Sequence, residues 1–332
     1  MRLRPRRSAC ALAATTLLVA GCASSGAKSG GDTAGGKSIT LYTCATENVE
    51  QAVIKAFEKA NDGAKVNVFR AATGQLNARV AADLRSGGIK ADVIWACDPL
   101  TMHGYDEQKL LKAWSPTNAD EIPGKFRTPH FTGIDLLYMV AAVHRGGVKP
   151  ATWADLAGPK FRNRVALPSP TFAASALGLL GYFSATEGYG IDFYRKLKRN
   201  GAVQLNAPAD TLTGVEQGTY TVGVTLANAA YADQKKGSPV DVVWPKPGAV
   251  AIYAPIGLTT RKNSPQLAEK FADFAASRDG QRVMAGLNTY VPIPGLGGPP
   301  IPAGSSTVSP DWPALFGTSK AILSDYVKIF GG

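Results

Sequence analysis

The stretch PKFRNRVALPSPTFAASALG, residues 159–178, decides the predicted fold. Its RVAL segment is typical of a short buried strand, and Pro168 and Pro170 prevent a simple continuation of that strand. Ser169 and Thr171 are favoured N-cap residues, so we predict that they cap the small-residue helix that follows. A strand, turn and helix in this order point free backbone N–H groups at one spot, which can bind an anion or a polar head group. An ordinary strand-to-helix connection would give the same pattern.

Strands and helices alternate on the N-terminal side of this stretch. Apolar runs at residues 39–43, 65–69 and 91–96 predict three strands, and amphipathic segments that predict helices follow them. This order predicts a doubly wound α/β sheet, in which ligands bind at the carboxyl ends of the strands. The polar candidates at those ends are Thr43, Thr46, Thr73, Gln75 and Asp98.

The plan repeats on the C-terminal side. Residues 135–143 are apolar and predict a crossing strand, and residues 249–258 are predicted to lead back towards the first lobe. Residues 219–226 predict another strand, and a helix that begins at Asn228 and contains Tyr231 follows it. Asn228 and Tyr231 therefore join Ser169 and Thr171 as candidate ligand-binding residues of a second lobe.

The length and the charge narrow the class of protein. A chain of 332 residues favours two lobes, because single cores stop growing at about 250–300 residues. Four arginines in residues 1–21 account for part of the net charge of +11, and the remaining excess is scattered. No interleaving of aromatic and basic residues indicates a nucleic-acid groove, so we expect no nucleic-acid partner.

The N-terminus predicts export and a lipid anchor. MRLRPRR is followed by an apolar segment too short to span a membrane and then by LVAGC, which resembles the bacterial lipobox. We predict that residues 1–21 are a lipoprotein signal peptide and that Cys22 carries the lipid at the outer face of the cell membrane or the periplasmic side. Residues 22–37 form a Gly/Ser/Ala-rich tether. A plain secretory peptide with an incidental cysteine, or a twin-arginine signal, are the alternatives.

A phosphate-loop pattern lies across the end of this tether. GDTAGGKS, residues 31–38, fits G-x-x-x-x-G-K-S. The mechanism of that motif needs a strand before the loop and a helix after it. Here a flexible tether precedes it and a predicted strand follows, so we reject a nucleotide site.

Eight short segments of residues 38–295 together resemble the extracellular solute-binding proteins of ABC importers. The resemblance is to the branch that takes up ferric ion, thiamine, polyamines and phosphonates. The matching segments are LYTCATE, ADVIWACDP, PATWADLAGPKFRNRVALPSPTFAAS, KLKRNGAV, VEQGTYTVGVT, VVWPKPGAVAIYAPIGL, NSPQLAEKFADFAASRDGQ and YVPIPG.

The resemblance implies the type II periplasmic-binding-protein fold, with two doubly wound α/β lobes, crossing strands and a ligand cleft between the lobes. Lobe 1 would comprise residues 38–142 and 250–332, and lobe 2 residues 143–249. It also implies delivery of a small-molecule solute to an ABC permease and its ATPase. We expect a monomer that holds no cofactor.

The resemblance leaves the solute open. Ferric-ion members place a histidine or acid after the first strand, an acid on the second helix and a tyrosine pair on the second lobe. The corresponding positions here are Thr46, Gly74 or Gln75, and Ala229-Ala230, with a single Tyr231 beside them. Ferric ion prefers anionic oxygen ligands, so this neutral set favours an organic anion such as a phosphonate or phosphate ester, and no metal site is predicted. A ferric importer, or a tethered binding protein that feeds a sensor, are the alternatives.

An enzyme is not expected. The three histidines, His103, His130 and His144, do not form H-x-x-x-H or another metal spacing. No G-x-S-x-G elbow is present in the sequence. We therefore predict a binding protein without catalytic residues.

Cys44 and Cys97 follow the first and third predicted strands. Because the chain of a doubly wound sheet crosses back beside its first strand, these two strands are predicted parallel neighbours. Adjacent strands lie about 4.8 Å apart, which suits the Cα separation of a disulfide. We predict that Cys44 and Cys97 are bonded; two reduced, buried thiols are the alternative.

Overall fold

A mixed sheet forms the centre of the computed structural model, which describes residues 37–331. The signal peptide, Cys22 and all but the last residue of the tether lie outside the described residues. The ten strands of the described part are β1 (Ser38–Thr43), β2 (Lys65–Arg70), β3 (Val93–Trp95), β4 (Thr132–His144), β5 (Val165–Pro168), β6 (Val203–Leu205), β7 (Val222–Leu226), β8 (Val240–Val243), β9 (Ala249–Leu258) and β10 (Thr307–Val308).

The strand order is β2-β1-β3-β9-β4-β7-β5-β6, with β10 beside β9 and β8 beside β4. β1 pairs in parallel with β2 and β3, as the sequence pattern predicts. β9 pairs antiparallel with both β3 and β4, and β4 pairs antiparallel with β7. The two long strands β4 and β9 therefore lie at the centre of the strand order and link β3 to β7 in one continuous sheet. All ten residues of β9 are buried.

Helices cover the sheet. Their buried residues recur at helical spacing, as Val49, Val53 and Phe57 do on the first of them. Those of residues 37–331 are α1 (Glu47–Ala60), α2 (Thr73–Arg85), α3 (Pro99–Glu107), α4 (Ala174–Ala185), α5 (Gly190–Arg199), α6 (Pro208–Glu216), α7 (Ala227–Lys235), α8 (Gln266–Ala276), α9 (Arg278–Gly286) and α10 (Trp312–Phe330). In this part of the chain no helix combines the length and apolar character that a membrane crossing needs.

The turn between β5 and α4 differs from its prediction. The helix begins at Ala174 with Ala173 at the N-cap position, so the prediction that Ser169 and Thr171 cap it was wrong. Ser169 is fully buried, and its hydroxyl accepts a hydrogen bond from the Thr171 N–H at 3.2 Å. Its carbonyl accepts from the N–H groups of Phe172 and Ala173. Because serine readily bonds the backbone two residues ahead, these contacts close a separate turn before the helix starts.

Helices α4 and α10 approach each other through small residues. A Cβ atom at Gly178 would lie 2.9 Å from Ile252 Cγ1 and 3.0 Å from Trp312 Cη2. A Cβ atom at Gly181 would overlap the side chain of Leu315. The two glycines therefore set how closely α10 packs on α4, which matters because both helices contribute to the cavity described next.

Candidate functional site

A cavity of about 510 Å³ lies among the first turns of α2 and α4, the helix α3 and the helix α10. Thr73 and Gly74 of α2 line it, and so do Thr171 and Ala174 at the start of α4. The chain therefore brings two distant strand-to-helix connections, one after β2 and one after β5, to a single space. Both are carboxyl ends of parallel strands, where ligands bind in sheets of this kind.

The first turns of α2 and α4 lack side-chain caps. Their N-cap residues are Ala72 and Ala173, and no side chain bonds the N–H groups that follow. In contrast, the Asp98 carboxylate accepts from the Thr101 N–H at 2.9 Å and so caps α3. The uncapped N–H groups of α2 and α4 carry partial positive charge, so this cavity can hold an anionic group.

Apolar side chains form much of the remaining wall. Phe172 keeps 65% of its surface exposed, which is unusual for a large apolar residue. Leu100 and Leu177 line the cavity from α3 and α4, and Phe316 lines it from α10. A ligand of this cavity can therefore bury a hydrocarbon part as well as an anion.

Two ionisable side chains of the cavity are already engaged in hydrogen bonds. Asp98 is 2% exposed, and burial raises the pKa of its carboxyl group, while its bonds to Thr101 lower that pKa. The Tyr105 hydroxyl donates to Asn77 Oδ1 at 2.6 Å, and burial raises the pKa of Tyr105. Asp98 lines the cavity, but both of its carboxylate oxygens accept hydrogen bonds from Thr101 at the start of α3.

The predicted ligand-binding residues do not all meet in this cavity. Thr73, Asp98 and Thr171 line it. Thr43 and Ser169 are fully buried, and the Thr43 hydroxyl accepts from the Ala45 N–H at 3.0 Å. The exposed Thr46 and Gln75, and the partly buried Asn228 and Tyr231, lie outside its lining.

Asn228 and Tyr231 lie on α7, and Tyr231 contacts aromatic side chains of other elements. Trp244 Nε1 donates to the Tyr231 hydroxyl at 3.1 Å, and the Tyr138 ring lies 5.3 Å from the Trp244 ring. Tyr138 also packs edge to face on Tyr290, with ring centres 4.7 Å apart. The N-cap residue of α7 is Leu226, which cannot cap the helix with a polar side chain. We call Tyr138, Tyr231, Trp244 and Tyr290 the aromatic group.

Cys44 and Cys97 form a disulfide with their Cα atoms 5.8 Å apart. Both are partly exposed and follow the ends of β1 and β3. The bond ties together the connections that lead to α1 and α3.

A buried acid stands on the crossing strand β4. Asp135 is 8% exposed and follows an irregularity in the pairing of β4 with β9. Burial raises the pKa of its carboxyl group to about 7, and the nearby Trp95 indole N–H partly opposes that rise. Asp135 Oδ1 and Trp95 Nε1 nevertheless have no hydrogen bond of normal geometry to any described residue. The carboxyl group is therefore held protonated at mildly acidic pH.

The sequence did not indicate several residues of this region. Phe316 lies on the C-terminal helix, and no local pattern relates it to residues 73 or 171. Trp244 and Tyr290 lie in segments that carry the family resemblance, so the presence of aromatic residues in those segments could have marked them as candidates. Across residues 37–331, no group of three or more His, Cys, Asp and Glu side chains is arranged to hold a metal ion.

Sequence comparison identifies relatives over most of the chain. The family model for bacterial extracellular solute-binding proteins matches residues 39–286. The spermidine/putrescine-binding periplasmic protein of Salmonella typhimurium is 24% identical over 249 residues, which are 68% of each chain. Its Escherichia coli counterpart is 24% identical over 246 residues, or 67% of each chain.

Structure comparison supports the same fold. AfuA of Actinobacillus pleuropneumoniae, a periplasmic binding protein with exogenous fructose 6-phosphate bound, has a TM-score of 0.73 and 20% identity, covering 88% of this chain and 98% of its own. The apo ferric ion-binding protein A of Pasteurella haemolytica has a TM-score of 0.75 and 18% identity over the same shares. Iron-bound HitA of Pseudomonas aeruginosa has a TM-score of 0.73 and 19% identity, covering 88% and 99%. At these identities the likeness concerns the fold alone.

These matches confirm both the predicted fold class and the predicted resemblance. The family and the neighbours are described as binding proteins. The chain belongs to the bacterial extracellular solute-binding proteins and has the α/β fold of the type II periplasmic binding proteins.

Proposed function

We propose that this protein captures a small organic anion, such as a phosphonate or a phosphate ester, and delivers it to the permease and ATPase of an ABC importer. The observation that carries the proposal is the cavity of about 510 Å³ that two uncapped helix N-termini share. Thr73, the first residue of α2, and Thr171, in the turn just before α4, line the cavity beside those N-termini.

The anion would lie between the first turns of α2 and α4. Each N-terminus carries roughly half a positive charge, and its N–H groups point along the helix axis. Two such ends can bind a phosphoryl or carboxylate group without a cationic side chain. The hydroxyl groups of Thr73 and Thr171 can donate further hydrogen bonds from opposite sides of the cavity.

The organic part of the solute would pack on the apolar wall. Ligand sites are mostly apolar with a few oriented polar groups, and this cavity follows that composition. Phe172 is the residue best placed to cover a ligand, because it lines the cavity just before α4 and its side chain is largely exposed. Leu177 and Phe316 would contact the buried side of the same ligand.

A ferric-ion importer is the second candidate. Solved neighbours described as ferric ion-binding or iron-bound support it, and the phenol of Tyr231 supplies one oxygen of the type that ferric ion prefers. Burial raises the pKa of Tyr231, which opposes the phenolate form that such a metal would need. A tethered protein that feeds a sensor would use the same cavity.

The proposed cycle needs two lobes that close on the solute. Residues 38–142 with 250–332 would form lobe 1 and residues 143–249 lobe 2, with α2 and α3 on one side of the cavity and α4 on the other. The protein would act as an exported monomer, held at the outer face of the membrane by a lipid on Cys22. Closure would bend the crossing strands β4 and β9.

A thermal-shift panel tests the proposal. Purified protein is heated with phosphate esters, phosphonates, ferric citrate, spermidine or thiamine, since a ligand at about 1,000 times its Kd stabilises the fold by about 4 kcal/mol. We expect a shift with a phosphate ester or phosphonate and a smaller radius of gyration in X-ray scattering with that ligand. A shift with ferric citrate or spermidine alone would contradict the organic anion.

A further inference from the structure

A second concavity, of about 290 Å³, lies on the outer surface beside the C-terminal turn of α5. Its other side is formed by Ala157, at the end of the 3-10 turn Trp153–Ala157, and by Arg162, which follows the 3-10 turn Pro159–Phe161. No residue that lines it also lines the cavity proposed for the solute. Its lining residues are Ala157, Arg162, Lys196, Arg199 and Asn200, and we call it the basic pocket.

The three cations of the basic pocket have no anionic partner. Across residues 37–331, no ion pair is formed by Arg162, Lys196 or Arg199, and no acidic side chain lines the pocket. The cation next to Lys196 in the chain does pair: Arg195 lies 2.5 Å from Asp192. Three like charges around one hollow repel each other unless an anion joins them.

The helix dipole accounts for only part of this arrangement. Lys196 and Arg199 stand in the last turn of α5, where cations favourably meet the negative end of the helix. Arg162 lies on a different element, in the connection before β5, and has no such reason to face that turn. The basic pocket therefore combines cations from two separate elements of the chain.

Hydrogen bonds fix the walls of the basic pocket. Asn200 Nδ2 donates to the carbonyl of Gly158 at 2.8 Å and to that of Leu156 at 3.3 Å. The Asn163 N–H donates to the Asn200 carbonyl at 2.8 Å. Phe161 and Leu197 anchor the two walls, since their side chains are 3% and 1% exposed. The backbone that carries the cations is thus held in place before any ligand binds, which lowers the entropy cost of binding.

We propose that Arg162, Lys196 and Arg199 form a binding site for a phosphate group, separate from the solute cavity. Two guanidinium groups offer forked N–H donors that match phosphate oxygens, and the lysine ammonium adds a point charge. A free phosphate ion and the phosphodiester of a lipid head group share this chemistry. The site goes beyond the proposed transport function, because it needs no contact with the transported solute.

Calorimetric titration of the purified full chain with inorganic phosphate tests the site. Losing one charge-assisted partner costs about tenfold in affinity, so we expect Arg162→Gln and Arg199→Gln each to weaken phosphate binding by about that factor. Arg164→Gln is the matched control, because Arg164 is exposed and nearby but does not line the pocket. Because the solute cavity is itself proposed to hold a phosphoryl group, the titration is repeated in Thr171→Asp, and the component of phosphate binding that Arg162→Gln weakens must persist in that variant.

Sedimentation with vesicles distinguishes the two sources of phosphate. Vesicles of phosphatidylglycerol and phosphatidylcholine are compared with vesicles of phosphatidylcholine alone, with wild type and Arg162→Gln. Binding to the anionic vesicles that Arg162→Gln removes identifies a lipid head group, and titration by inorganic phosphate without vesicle binding identifies a free ion. Equal losses in Arg162→Gln and Arg164→Gln, or binding of neither probe, would overturn the proposal.

Discussion

Cys44 and Cys97 are bonded to each other across the ends of two neighbouring parallel strands, with their Cα atoms 5.8 Å apart. The bond closes a loop of 53 residues that contains α1, β2 and α2. The uncapped first turn of α2 lies inside that loop, and the capped start of α3 follows it directly. The disulfide therefore restrains the part of the chain that lines one side of the cavity.

The disulfide predicts both a thiol count and a stability. Mature protein with Cys22→Ala, denatured without reductant, should show no titratable thiol. The double variant Cys44→Ser/Cys97→Ser should lose about 4 kcal/mol of unfolding free energy, because the unfolded chain regains the freedom of a loop of this length. Two titratable thiols in the unreduced protein would contradict the bond.

A negative charge at Thr171 should weaken solute binding. The side chain of Thr171 is exposed and lines the cavity beside the start of α4. Thr171→Asp places a like charge next to an anionic solute, and we expect about a tenfold rise in Kd, equivalent to about 1.4 kcal/mol. Titration calorimetry with the phosphate ester or phosphonate of largest thermal shift measures it. Thr171→Asn is the control, because asparagine has nearly the same shape as aspartate but no charge, and it should bind within about twofold of wild type.

Asp135 predicts a pH-dependent stability. Its folded-state pKa is about 7, above the ordinary value of 3.8, because burial disfavours the carboxylate. The folded state therefore holds a proton that the unfolded state releases, and stability falls as pH rises from about 4 to about 7. The full effect of a shift this large is on the order of 4 kcal/mol.

The Asp135→Asn variant isolates this contribution. Its neutral amide replaces the protonated acid, so the variant should gain stability relative to wild type as pH rises from about 4 to about 7. Denaturant unfolding at several pH values gives the difference between the two proteins. Asp120→Asn, a change at an exposed acid, is the control, and its stability relative to wild type should not change with pH over this range. A pH profile that Asp135→Asn leaves unchanged would refute an elevated pKa.

Replacing a packed glycine and an open glycine by alanine should change the stability in opposite directions. Gly181→Ala adds a methyl group where α4 meets Leu315 and should cost about 1–3 kcal/mol through overpacking. Gly317→Ala, on α10, meets no atom within 4 Å and should stabilise the helix by about 0.5–1 kcal/mol. Thermal unfolding of the two variants measures the contrast. Equal effects of the two substitutions would show that α10 does not pack as described.

The proposed lipid anchor predicts that a variant without Cys22 is released from the membrane. Replacing Cys22 by alanine removes the thiol that would carry the lipid, so Cys22→Ala should appear in the medium or the periplasm instead of the membrane fraction. Cell fractionation with an antibody to the protein detects the change. Ser25→Ala, in the tether, is the control and should remain with the membrane. Retention of Cys22→Ala in the membrane fraction would mean that another segment anchors the chain.

The sequence predicted those features that depend on local periodicity and on strand order. The alternation of apolar strands and amphipathic helices was enough to predict that β1 and β3 are parallel neighbours. The apolar character of residues 135–143 likewise predicted the crossing strand that is now β4, whereas residues 249–258, now β9, were predicted only to lead back towards the first lobe. Burial on both faces leaves a continuous apolar run, which is readable without any knowledge of the partner strand.

Side-chain roles in the site could not be predicted in the same way. Ser169 has the composition of an N-cap but bonds Thr171 within a preceding turn, because a serine hydroxyl can satisfy either arrangement. Phe316 reaches the cavity from the last helix, and its contact depends on how α10 packs on α4. Such contacts join residues far apart in the chain, so no spacing in the sequence records them.

The order of the strands also sets when the chain can fold. β3 ends at Trp95, but its partner β9 begins at Ala249. The ribosome therefore completes β1, β2 and β3 long before it makes β9, the strand that joins them to the rest of the sheet. Pairing between such distant segments is slow, since a long loop must close first. The sheet lacks its central strand until about three quarters of the chain has been made, so it cannot be completed during most of synthesis, which suits the export that the N-terminal residues predict.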